Sequence, residues 1–88
     1  MDLTNKANKL LTEWAHYKNL HYSQKTGFDH AVDIELEKEA CNRLVEFLRE
    51  GLLDSSCPER ELKFRVTTLE EHLRIFKDRI TFELLKNG

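Results

Sequence analysis

Leu62, Val66, Leu69, Leu73, Phe76 and Ile80 return at alternating steps of four and three without a slip. That rhythm follows the 3.6-residue turn and places all six side chains along one side of a helix. An apolar seam of that length must be buried against something, so the rest of the chain has to supply matching faces. Two further segments do. Leu3, Ala7, Leu10, Trp14, Tyr17 and His21 share one face, widened by Leu11 and Ala15, and Leu36, Ala40, Leu44, Phe47 and Leu48 share another. Only three glycines and one proline occur in 88 residues, too few turn residues for a small sandwich or barrel.

The expected fold is therefore all-α, a single three-helix domain spanning 1–88. Its helices are expected at about 3–21, 31–50 and 58–86. Asp2 is the expected N-cap of the first helix, and Gly51 the C-terminal stop of the second. Ser56-Cys57-Pro58-Glu59 reads as a capping box for the third. Thr67-x-x-Glu70 repeats that signal inside the long seam, so the alternatives are one helix over about 58–86, or a short element at 59–66 and a helix from 68. The unbroken seam favours helix on both sides of Thr67-Thr68, with a kink or break there as the variant. One rival reading is α+β. Phe28, His30, Val32, Ile34 and Leu36 alternate with polar or small residues, and a short strand at 62–66 (Leu62, Phe64, Val66) would pair with 28–36.

The second helix carries apolar residues past half its circumference once Cys41, Val45 and Leu52 are added, which implies two neighbours. Ile75 and Phe82 lie seven apart on a flank of the third helix, off its main seam. For so short a chain, burial and ordering entropy nearly cancel, and a partner would relieve the deficit. Two readings follow: a homodimer or docking surface, or a monomer in which the first two helices cover both faces of the third.

Charge is unevenly spread. Residues 1–27 hold four bases and two acids, 28–54 three bases and eight acids, and 55–88 seven bases and six acids. An acidic middle argues against a globally basic nucleic-acid binder. Cys41 and Cys57 have no zinc-ligand spacing and are expected to be reduced, Cys41 half-buried and Cys57 in a loop. With no signal peptide and no long apolar run, a cytoplasmic protein without membrane contact is expected.

Residues 14–30, WAHYKNLHYSQKTGFDH, concentrate histidines and aromatics. Catalysis would need a nucleophile with a base or acids in a cleft, and no such motif occurs. His16 and His21 point about 140° apart on a helix and share no metal. A set of His21, His30 and Cys41 is conceivable, yet no spacing demands it. No enzyme, metal or cofactor is expected. The expected function is that of a regulatory, adaptor or inhibitor protein that binds another protein through apolar helix faces. Its candidate contacts are Tyr22, Lys25, Phe28, His30, Ile75 and Phe82. The alternative is nucleic-acid binding through Lys18, His21, Tyr22, Lys25, Arg74 and Lys77, with lysines on phosphates and aromatics under bases. On the first helix, Trp14 and Tyr17 are expected in the core and His16 in solvent.

Overall fold

The computed structural model describes residues 2–23 and 31–87, which form three helices: α1 (Leu3–Ser23), α2 (Ala31–Leu53) and α3 (Glu59–Asn87). The all-α expectation holds. Among the described residues there is no strand, and Leu62, Phe64 and Val66 lie inside α3. The α+β alternative fails because alternation across three residues competes with a four-three seam across nineteen, and the longer pattern wins. Phe28 and His30 lie outside the described residues.

Asp2 caps α1 as expected, its Oδ1 accepting from the Thr4 amide at 3.1 Å. The boundaries of α2 and α3 need correction. α2 runs past Gly51 to Leu53, and Asp54 closes it by accepting from the Ser56 amide (3.0 Å) and hydroxyl (2.6 Å). Ser56 therefore serves that turn rather than a capping box, and Pro58 supplies the first carbonyl of α3, accepting from Leu62 at 3.0 Å. Nor does α3 break at Thr67-Thr68: Thr68 donates its hydroxyl to the Phe64 carbonyl at 2.8 Å within a continuous helix.

Gly51 has a different task from the stop assigned to it. The Arg65 side chain crosses over it to donate to the Phe47 carbonyl at 2.6 Å, while its guanidinium lies 4.0 Å from the Phe47 ring centre. A Cβ on Gly51 would sit 3.0 Å from Arg65 Cδ. Alanine in a helix interior is worth up to about 1 kcal/mol over glycine. We expect Gly51→Ala to gain most of that when Arg65 is also alanine, and less than half of it with Arg65 in place. Urea unfolding of the four proteins in this double-mutant cycle checks the coupling.

Interhelical pairs fix the directions. Lys6 meets Glu70 and Glu13 meets Lys77, so α1 runs parallel to α3. Glu37 meets Arg79 and Phe47 meets Arg65, so α2 runs antiparallel to it. The bundle is up-down-up and elongated, 45 × 22 × 17 Å, with α3 lying against both other helices.

The core joins Ala7, Leu10 and Trp14 of α1, Ile34, Cys41, Val45 and Leu48 of α2, and Val66, Leu69, Leu73, Phe76 and Ile80 of α3. The Trp14 and Phe76 rings meet in an edge-type contact, 5.1 Å between centres with planes 61° apart. The α1 and α3 seams are buried largely as expected, Tyr17 is partly buried and His16 is exposed. On α2 the expected face is rotated. The buried line is Ile34, Lys38, Cys41, Val45 and Leu48, while Val32 and Leu36 are exposed and Ala40, Leu44 and Phe47 only partly covered. Cys41 is fully buried rather than half-buried. No helix among the described residues is long and apolar enough to cross a membrane.

Candidate functional site

Two places combine chemistry with access. One is a polar clasp where the end of α1 meets the start of α2. The other is the outer face of the α2/α3 pair.

The clasp is built on His21, which closes the α1 seam and is buried at 3% exposure. Its Nε2 lies 2.6 Å from Glu35 Oε1, and its ring stacks edgewise toward Phe76 and tilts against Tyr22. Lys38, also buried, donates to the Tyr22 hydroxyl at 2.8 Å and to both Glu35 oxygens at 2.9 and 3.2 Å. Hydrogen bonds from Lys38 and then His21 hold the Glu35 carboxyl below its ordinary value. Burial alone would lower the Lys38 pKa, but its bonds to Tyr22 and Glu35 outweigh that and raise it.

These shifts predict a pH dependence. The stabilisation from Glu35 is present above its unfolded value of 4.5 and is lost as pH falls through the lower folded value. That from Lys38 is complete below 10.5 and disappears as pH rises through its higher folded value. Around neutrality the clasp is therefore fully formed. The gap in urea midpoint between the wild type and Glu35→Gln should narrow as the buffer is taken below pH 4.5, and a gap constant down to pH 2 would contradict the clasp.

The clasp joins an imidazole, a phenol hydroxyl, a carboxylate and an ammonium, and its bonds hold the end of α1 against the start of α2. Among the described residues no three His, Cys, Asp or Glu side chains gather as a metal site. Cys41 sits in the core, where burial, with a smaller push from the Glu37 carboxylate, raises its thiol to about 12. Of the conceivable metal set, His21 is engaged by Glu35, Cys41 is held protonated, and His30 lies outside the described residues.

The candidate contacts separate accordingly. Lys25, Phe28 and His30 fall outside the described residues. His21, a candidate nucleic-acid contact that also ends the apolar seam of α1, is interior, as its place on that seam requires. Tyr22 is half-exposed with its hydroxyl bound by Lys38, and Lys18 stands 6.0 Å from the Trp14 ring centre. Lys77 is paired to Glu13 at 3.2 Å and lies over the Tyr17 ring, while Arg74 is exposed nearby.

Ile75 and Phe82 are 45% and 56% exposed, so α1 and α2 do not cover them. On the α3 wheel they lie far around from Lys77, which reaches α1, and next to Arg79, which reaches α2. On α2, Leu36 lies about 160° around from Lys38, which reaches α1, and about 100° from Glu37, which reaches α3. These positions put Leu36, Ala40 and Phe47 of α2 on the same side as Phe64, Ile75 and Phe82 of α3, opposite α1. Phe64 and Leu36 are each 59% exposed.

Lys38, Glu35 and Leu36 had no place in the sequence reading of the site. A signal existed for Lys38: Ile34-Lys38-Cys41-Val45-Leu48 keeps the four-three rhythm, with a lysine standing at an apolar position. Glu83 repeats the device on α3, following Phe76 and Ile80 into the interior.

The chain matches no family model, no curated protein and no solved structure.

Proposed function

We propose that this chain is a small non-enzymatic regulatory, adaptor or inhibitor protein that works in the cytoplasm by protein-protein contact through the outer face of α2 and α3. The carrying observation is the apolar set Leu36, Phe64, Ile75 and Phe82, exposed together on the side away from α1. Single exposed apolar residues are ordinary on any surface, but several large ones sharing a face mark an interaction site. Aromatic residues dominate interface energetics, and two of these four are phenylalanines. The clasp at the other side fastens α1 in place and so keeps the face rigid.

Nucleic-acid binding receives less support. Of the cations and aromatics it needs, His21 is interior, the Tyr22 hydroxyl is occupied and Lys77 is paired to Glu13. Free Cys41 and Cys57 suit a reducing compartment. Binding to heparin and to mixed oligonucleotides across a salt series tests the proposal against that alternative. We expect no binding at low salt. Tight binding that weakens steeply with salt would replace the proposal by the nucleic-acid reading.

A further inference from the structure

The outer face of α2 and α3 has a symmetry of its own. Two contacts set the level at which the helices face each other, Glu37 with Arg79 and Phe47 with Arg65. Halfway between Glu37 and Phe47 is residue 42, and halfway between Arg65 and Arg79 is residue 72, so 42 and 72 stand side by side. Two pairs of apolar residues are placed evenly about that level. Leu36 and Phe47 are equidistant from a point between 41 and 42, and Phe64 and Phe82 from residue 73, agreement within about one residue, or 1.5 Å of helix rise. The charges follow the same rule, with Glu39 and Arg43 placed evenly about residue 41. Both are exposed, and neither forms an ion pair among the described residues.

We infer that the occupant of this face is a second copy of the chain, bound through a two-fold axis that lies in the face and crosses α2 and α3 near residues 41 and 73. The inference rests on the proposed use of this face. Each helix then lies antiparallel on its own copy. Leu36 meets Phe47 of the second copy, Phe64 meets Phe82 of the second copy, and the two Ile75 side chains flank the axis. Self-complementarity of this kind is what an isologous interface requires.

A further feature fits a second copy. Val32, Leu36, Glu35 and Glu39 line a shallow depression on α2. The axis brings Arg43 and Phe47 of the other copy to it, a cation for the glutamates and a ring for the apolar residues.

Sedimentation equilibrium with charge-swap variants tests this directly. The wild type is expected at twice 10.5 kDa at tens of micromolar. Ile75→Glu and Phe82→Glu, at exposed positions, should be monomeric with unchanged helical circular dichroism. Glu39→Arg alone sets like charges against each other at both symmetric contacts, and so does Arg43→Glu alone, so each should dimerise at least tenfold more weakly. Mixing the two restores opposite charges at both contacts and should give a heterodimer near wild-type affinity, which no pairing within one helix explains. A mass of 10.5 kDa at several hundred micromolar overturns the inference, as does a dimer indifferent to Ile75→Glu and Phe82→Glu, or a mixture that stays monomeric. A monomer that captures a different protein through Phe82 defeats the second copy while leaving the proposed function standing.

Discussion

Phe76→Ala is expected to leave the chain mostly unfolded at 25 °C. Phe76 is fully buried and makes edge-type ring contacts with Trp14 at 5.1 Å and His21 at 6.4 Å between centres, so its ring meets the α1 seam at positions two turns apart. Truncating a buried phenylalanine costs about 3–5 kcal/mol, and the total stability of a small domain is on the order of 5 kcal/mol at the low end. α1 should detach first, because it is held to the other helices by this ring cluster, the clasp and surface ion pairs. Phe76→Leu keeps much of the volume and should retain the fold with a lowered melting temperature. Thermal melts followed by circular dichroism decide the matter, and a Phe76→Ala melt within a few degrees of wild type would mean that the core is centred elsewhere.

The second large effect falls on Lys38, and the two obvious substitutions should behave differently. Its ammonium bonds Tyr22 and Glu35, but Tyr22 is 50% exposed and the Glu35 side chain 48%, so both acceptors can turn to water when the ammonium is gone. Partly solvated ion pairs contribute little, about 1 kcal/mol or less. The aliphatic stem, by contrast, occupies a core position between Ile34 and Cys41, and its loss leaves a gap. We expect Lys38→Met to cost less than about 1 kcal/mol and Lys38→Ala about 2 kcal/mol. Urea unfolding measures both, and equal losses would show that the charge, not the stem, holds α1 to α2.

Much of the fold was legible because the apolar rhythm in α1 and α3 is long and regular. The errors have local causes. Gly51 carries the usual mark of a helix end, yet it stays helical because Arg65 needs the space above it. Ser56 carries the mark of a cap, but Asp54 two residues earlier takes its hydroxyl. On α2 two overlapping apolar lines exist, one through Leu36, Ala40, Leu44 and Phe47 and one through Ile34, Cys41, Val45 and Leu48. The sequence reading follows the first line, together with Leu48, and adds Cys41 and Val45 only as a widening of it; burial follows the second because the Lys38 stem packs in the core while its head reaches Glu35 and Tyr22. The line left outside is the one that shapes the proposed interface. Ile75 and Phe82 were readable as surplus apolar surface from their spacing alone. Leu36, Phe47 and Phe64 were not readable as their companions, since joining them needs the level at which α2 and α3 lie side by side.

The central claim is that the outer face of α2 and α3 meets protein. Benzophenone-alanine placed at Phe82, with a control at Thr12 on the exposed side of α1, tests it in the living host cell by ultraviolet crosslinking. The account predicts a discrete protein adduct from position 82 and none from position 12, with an adduct of two chains if the partner is a second copy. No adduct from 82, or equal adducts from both positions, would contradict it.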